Sequence, residues 1–416
     1  MIHAQRIGLA LTVSFLLLPT ASSAMEHPDQ AVGFAAGGLQ SLAIDNVSTY
    51  NGGLTVSVPI GPMFQLIYNS HPWSSADRGG TLEVFPNGRN TAGFGWRLSL
   101  GKLYSPNSWY GNESGYWVYV GPDGSSHNFY DHPHEGEDDG DGNVMYTRDG
   151  SYLRLIHNWN GSSAWKAIEY PDGTRQTFAT VPGWSTNFSL RKIEDRFGNF
   201  TSIAYSYPDG GWTGRQIWTI TDNHGRIHYA HFSPSQNSVH EVTSVDYQTV
   251  GGQRAVYQFV YTTWKRNRPY DTYPFNNDRI NIRFLKKVIF PDNSELDTSR
   301  ADGWPDYSGS FLGWASGVLK GLRLPTGGRL EWDYTEWVFA GSNSTDWSYG
   351  AGVVQRRMVR SDGTTESTVT YDQGFIPASG WPKVGYQNDV VYPGGHCARH
   401  FFHHDKSLST ADWGGW

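Results

Sequence analysis

The feature that most constrains this chain is a hairpin turn that recurs at nearly even steps. It reads Pro122-Asp123-Gly124-Ser125, then Arg148-Asp149-Gly150-Ser151, then Pro171-Asp172-Gly173-Thr174. It continues as Asp195-Arg196-Phe197-Gly198-Asn199 and Asp222-Asn223-His224-Gly225-Arg226. From glycine to glycine the steps are 26, 23, 25 and 27 residues. An Asp-Gly or Asn-Gly turn supplies the positive φ that a tight hairpin needs, so the flanking strands fold back antiparallel. The flanks alternate accordingly, with Tyr152, Arg154 and Ile156 on one face and Leu153, Leu155 and His157 on the other. Residues 201–207 and 226–232 behave the same way.

A single hairpin is marginal in water, so such units must join side by side into a continuing sheet. A sheet that long twists, and it escapes edge pairing by curling or closing. The pattern therefore predicts an all-β fold: antiparallel hairpins in one sheet, coiled into a shell. Composition agrees, since 18 Trp, 24 Tyr and 20 Phe suit a pleated surface and 49 Gly punctuate turns.

The pattern loosens between Tyr261 and Ser310, where the charged, Asn-rich stretch Lys265 to Asp278 predicts a long surface loop. It resumes at Phe290-Pro291-Asp292-Asn293 and at Leu324-Pro325-Thr326-Gly327-Gly328. A last copy, Ser361-Asp362-Gly363-Thr364, precedes a strand from Glu366 to Tyr371. From Gln373 the repeat fades into an irregular tail ending at Trp416.

The N-terminus predicts export. Arg6 precedes a mostly apolar run from Ile7 to Leu18, Pro19 breaks it, and Ser22-Ser23-Ala24 forms a small-residue cleavage pattern. Residues 1–24 read as a secretory signal, too short to span a bilayer, and the expected destination is secreted, cell-surface or periplasmic. The single cysteine, Cys397, excludes an internal disulfide framework and a cysteine-based zinc site. A net charge of -7 with scattered signs gives no basic stripe, so nucleic acid is not an expected partner.

These units resemble the YD repeats of the RHS family, known from bacterial polymorphic toxins, the C component of insecticidal toxin complexes and animal teneurins. The N-terminal part is similar to the family's entry region at Asn51-Gly52-Gly53-Leu54-Thr55-Val56-Ser57-Val58-Pro59, at Leu66-Ile67-Tyr68-Asn69-Ser70 and at Phe94-Gly95-Trp96-Arg97-Leu98. The resemblance covers roughly residues 40–370 and implies an entry region over 25–110. A repeat β-shell follows over 111–372, with a loop insertion near 262–310, and then the tail at 373–416. It further implies a full or partial β-cocoon around a toxin or cargo polypeptide, or an adhesion shell. The family's paired Asp-Pro-x-Gly-Leu motifs are missing, and the dipeptide Asp-Pro does not occur. Autoproteolysis and toxicity therefore do not carry over, and the remaining RHS core chain becomes an expected partner.

Candidate chemical sites are few. The acidic run holds Glu135, Glu137, Asp138, Asp139 and Asp141, enough hard oxygen for calcium, but its spacing is not that of an EF-hand and a solvated loop explains it. His132 and His134, or His400, His403 and His404, lack ligand partners at zinc spacing. No nucleophile elbow is present, and most Asp residues sit in turns for backbone hydrogen bonding. Trp96, Trp159, Trp165, Trp212, Trp218 and Trp332 are either inter-strand packing or a sugar-stacking platform. The reading is a non-catalytic exported shell or interaction protein without a cofactor, calcium aside. The rival is a secreted carbohydrate-binding or carbohydrate-cleaving protein acting on cell-surface glycan.

Overall fold

The computed structural model describes residues 44–403, apart from 78–81, 87–89, 107–115, 134–142, 162–163, 181–186, 212, 236–238, 268–278, 301–305, 308–315, 341–346 and 376–384. The signal, the acidic run, Trp212, His134 and His404 lie outside the described residues. What is described is almost entirely antiparallel sheet, with one short 3-10 turn at Trp159–Gly161.

A first sheet is built from β1 (Asp45–Val47), β2 (Leu54–Ile60), β3 (Phe64–Asn69) and β6 (Trp96–Ser99), in that order. Between them β4 (Trp73–Asp77) and β5 (Leu82–Pro86) form a separate hairpin. Short strands follow: β7 (Lys102–Tyr104), β8 (Trp117–Val120), β9 (Ser126–Phe129), β10 (Val144–Tyr146) and β11 (Arg154–Ile156). The meander lengthens through β12 (Trp165–Glu169), β13 (Arg175–Thr180), β14 (Asn187–Glu194), β15 (Phe200–Ser206), β16 (Gln216–Thr221), β17 (Ile227–Phe232) and β18 (Val242–Gln248). It ends with β19 (Arg254–Asn267), β20 (Arg279–Ile289), β21 (Glu295–Asp297), β22 (Gly321–Arg323), β23 (Arg329–Ala340), β24 (Trp347–Val359), β25 (Thr365–Phe375), β26 (Gly385–Val391) and β27 (Cys397–His403).

From β10 to β27 each strand pairs with the next, giving one long open sheet of hairpins. At its start the pairing circuit closes. β7 pairs with β8 on one side and, on the other, with the first half of β14, Phe188 opposite Leu103. Tyr130 and Tyr146 exchange two backbone hydrogen bonds of 2.8 Å, which tie the end of β9 to β10. Eight strands, β7 to β14, thus form a ring. Leu103, Tyr119, Phe129, Met145, Leu155, Ile168, Phe178 and Leu190 alternate into one shared apolar core.

Among the described residues, nine hairpins share one turn geometry. In each, the first residue's N–H donates to the fifth residue's carbonyl, and the fourth residue's N–H donates back to the first carbonyl. The fourth residue must take a left-handed φ, so it is Gly at 124, 173, 198, 225, 252, 327, 363 and 395 and Asn at 293 (φ 65). Asp stabilises the turn from two positions. At the third position Asp123, Asp172, Asp292 and Asp362 accept the fifth N–H, while at the first Asp195 and Asp222 accept the third and fifth. Because hairpins of one parity lie along one border of a meander, these turns line a single rim. Neighbours touch there: Asn223 donates to Asn199 at 3.4 Å.

The first sheet packs on the meander through buried polar contacts. The Leu319 N–H donates to the Tyr68 hydroxyl at 2.7 Å, and the Tyr247 hydroxyl donates to the Ile60 carbonyl at 2.6 Å. Trp96 Nε1 donates to the Tyr307 hydroxyl at 3.0 Å. The Asn388 amide reaches the Thr49 carbonyl. Trp96, Trp332, Trp337 and Phe284 fill the space between.

One expectation lies largely outside the described residues and one is corrected. Of the expected surface loop from Lys265 to Asp278, residues 268–278 lie outside the described residues, and the flanking β19 and β20 form one of the longest hairpins. Lys265 and Arg283 alternate there with Trp264, Ile282 and Phe284, which is a strand pattern, and Arg266 shares the aromatic face with its guanidinium over the Trp264 ring at 4.6 Å. The tail at 373–416 is not irregular throughout, because β26 and β27 form a further hairpin. Its turn, Tyr392 to His396, has the shared geometry without any Asp.

Candidate functional site

Of the candidate ligands, His132, His400 and the backbone of His403 are described. His132 contributes its backbone carbonyl to Arg148 Nε at 3.1 Å. His400 lies on β27 opposite Asn388, and His403 ends that strand. Among the described residues no group of three or more His, Cys, Asp or Glu is placed to hold a metal ion. Glu135, Glu137, Asp138, Asp139 and Asp141 lie outside the described residues.

The described tryptophans differ in environment. Trp96 and Trp332 are fully buried, and Trp218 packs edge-on to Tyr205 at 5.5 Å between ring centres. Trp159 lies under the Arg175 guanidinium at 4.4 Å, and Trp165 is 40% exposed. Packing between strands accounts for Trp96, Trp218 and Trp332.

One constellation was not evident from the sequence. His127 on β9 places Nδ1 2.6 Å from Asp149 Oδ2 and Nε2 2.8 Å from Ser125 Oγ. The order Ser–His–Asp is that of a hydrolase triad, so its proton directions matter. Ser125 Oγ also lies 2.7 Å from Asp123 Oδ1, an acceptor only, and gives it its single proton. The Ser125 proton is therefore directed at Asp123 and not at His127. The flanking N–H groups are engaged too, Gly124 with the Gly121 carbonyl and Ser125 with Asp123. A nucleophile needs the opposite proton direction and free donors for an oxyanion. The constellation is a clamp between two neighbouring turns of the rim. Burial raises the Asp149 carboxyl, but the hydrogen bonds from His127 and Ser151 outweigh it and hold it below the usual carboxylate range. The signal lay in the turn parity, which puts the turns after β8 and β10 side by side.

Among the described residues, a buried cation lies in the ring interior. Lys166 on β12 is 5% exposed, and its Nζ donates to the His157 carbonyl at 2.7 Å. The ammonium faces the rings of Trp117 at 5.4 Å and Phe188 at 5.1 Å. Burial lowers its affinity for the proton.

At the other end of the meander, β27 is the last described strand. β27 runs seven residues in register with β26, from Val391 opposite Cys397 to Gly385 opposite His403, without a bulge. Phe401 is 59% exposed, and Cys397 is an exposed free thiol.

No family model matches the chain, and no curated protein does. Solved structures similar to it include TcdB2-TccC3-TEV, at 15% identity and a TM-score of 0.29, over 82% of this chain and 17% of that one. TcdB2-TccC3 without its hypervariable C-terminal region is similar at 16% identity and a TM-score of 0.28, over 91% and 18%. The N-terminal domain of the effector SpvB from Salmonella typhimurium strain LT2 is similar at 13% identity and a TM-score of 0.25, over 78% and 99%. The chain spans less than a fifth of the length of the first of these.

Proposed function

We propose that the chain is an exported, non-catalytic scaffold of the RHS/YD-repeat type. It acts by presenting an extended β-sheet to a second polypeptide, either a toxin or other cargo or the rest of a core chain. The observation that supports this most is that the repeat is still running at the last described strand. The turn from Tyr392 to His396 carries the same pair of hydrogen bonds as the turn from Tyr170 to Thr174. A meander of this kind extends one hairpin at a time by main-chain pairing.

Two observations fit the absence of chemistry in this reading. The turn aspartates accept backbone N–H groups, and in the triad-like array the Ser125 hydroxyl donates to Asp123 and not to His127. The glycan-binding alternative draws no support from Trp96 and Trp332, which are buried.

The test is the genomic sequence immediately downstream of the Trp416 codon. The reading expects further YD hairpins, paired Asp-Pro-x-Gly-Leu motifs and a variable tail, in this frame or a neighbouring one. A downstream region holding none of these overturns it.

A further inference from the structure

The register of the ring strands sets a row of side chains on the ring's outer face. Phe129, Met145, Leu155 and Ile168 point into the core, so their chain neighbours Tyr130, Tyr146, Arg154 and Glu169 point outward. Pairing aligns these across the strands. Tyr130 stands opposite Tyr146, Tyr146 opposite Arg154, Arg154 opposite Glu169, and Glu169 opposite Arg175. With strands about 4.8 Å apart, the row runs about 19 Å from the end of β9 to β13.

Aromatic rings and a shared carboxylate hold its guanidiniums in place. At one end Arg148 lies over the Tyr130 ring at 4.4 Å, and at the other Arg175 lies over the Trp159 ring at 4.4 Å. Between them Glu169 accepts from two sides, Arg154 Nε donating to Oε2 at 3.0 Å and Arg175 Nη2 to Oε1 at 3.1 Å. The charges do not balance. Three guanidiniums meet one carboxylate, and among the described residues Arg148 forms no ion pair, its Nε donating to the His132 carbonyl. On β23, β24 and the segment before β22, by contrast, Arg329, Arg357 and Lys320 are matched by Asp306, Glu331 and Asp333. The Arg154 and Arg175 side chains are 52% and 36% exposed, and among the described residues Nη1 of each makes no hydrogen bond.

Guanidiniums fixed in this way lose little freedom when an anion takes their outer donors. Their planar fork matches a carboxylate. Tyr, Trp and Arg together are also the side chains that dominate protein-binding hot spots. An extended chain rises about 3.3 Å per residue, so the row spans about six residues of a bound strand. We infer that this row docks an extended acidic segment of another polypeptide, its carboxylates seated on Arg148, Arg154 and Arg175. The inference rests on the row and not on the scaffold reading, so either can fail without the other.

The experiment titrates the full chain into a labelled decaglutamate peptide at low salt and follows fluorescence anisotropy. The expected dissociation constant is below about 100 µM. Arg154→Gln and Arg175→Gln should each weaken binding at least about fivefold with an unchanged melting temperature. Trp159→Ala, which removes the ring under Arg175 and no charge, should weaken it at least about threefold. Arg360→Gln, at an exposed arginine paired with Glu366 far along the meander, should leave it unchanged. Absence of binding up to about 1 mM overturns the inference. So does binding that Arg154→Gln and Trp159→Ala both leave intact, since the peptide would be held elsewhere. Tighter binding of polygalacturonate than of decaglutamate to these same residues overturns it too, because the ligand would then be an acidic sugar.

Discussion

Asp45 and Arg356, 311 positions apart in the chain, form a two-pronged ion pair inside the protein. Arg356 Nε and Nη2 lie 2.6 and 2.7 Å from the two carboxylate oxygens, and Trp332 Nε1 donates to the same group at 3.0 Å. The Asp45 side chain is fully buried. The first strand of the small sheet is thereby fixed to β24 of the meander. Removing one partner leaves the other charge buried and uncompensated, which costs about 3–5 kcal/mol. Arg356→Met and Asp45→Asn should each lower unfolding stability in urea by about that amount. The double variant should lose clearly less than the sum of the two. Full additivity would show that the pair does not couple the sheets.

The same contact depends on a missing side chain. A Cβ on Gly352 would lie 2.2 Å from Trp337 Cδ1, and the adjacent Val353 N–H donates to the Gly52 carbonyl at 2.9 Å. Gly352→Ala should therefore destabilise the protein by at least ~1–3 kcal/mol through overpacking. Gly363→Ala, where no atom lies within 4 Å, should cost only the backbone strain of its positive φ. Equal melting temperatures for the two variants would contradict this packing.

How much of this was legible in sequence follows from what the turn requires. The fourth position of each hairpin demands a left-handed residue, and that is why the Gly spacing announced an antiparallel meander. Asp is only one way to brace the turn, so a search led by Asp-Gly stopped short at Tyr392-Pro393-Gly394-Gly395-His396, where no Asp occurs. The β19–β20 hairpin was hidden by surface charge, because Lys265 and Arg283 sit on the opposite face from Phe284 and Ile282. Contacts between the small sheet and the meander, such as Asp45 with Arg356, join residues hundreds of positions apart. A local pattern cannot encode them. The His127 clamp was readable only after turn parity put two adjacent turns on one rim.

That clamp predicts a local effect. His127→Ala removes the bridge between Ser125 and Asp149, beside the point where Tyr130 and Tyr146 close the ring. Amide exchange at Tyr130 and Tyr146 should accelerate at least tenfold, while amides in β23 and β24 keep their protection. If Ser125→Ala abolished a hydrolase activity of the intact chain, the clamp reading would be wrong.

Acid should weaken the fold before its carboxylates titrate. Burial lowers His71 to about 4 and also lowers His157 and His228. His228 Nδ1 accepts the Gln248 N–H at 3.1 Å, which leaves that nitrogen no room for a proton. Above about pH 6.5 the folded and unfolded chains are equally neutral at these sites, so they contribute no pH dependence. As pH falls through 6.5 the unfolded chain binds protons that folded His71 refuses until about 4, and stability drops across that window. For His71 alone the loss reaches at most about 3 kcal/mol. Urea midpoints at pH 7 and pH 4.5 should differ, and His71→Gln should flatten the slope between them. An unchanged slope would remove His71 from the account.

The central claim is that this sheet is a scaffold that shelters another polypeptide. It is tested most directly by producing the chain with the polypeptide encoded directly downstream and timing that polypeptide's digestion by a nonspecific protease. The account predicts at least a tenfold longer half-life with the chain than without it. An unchanged half-life, with the chain folded and present in excess, would contradict it.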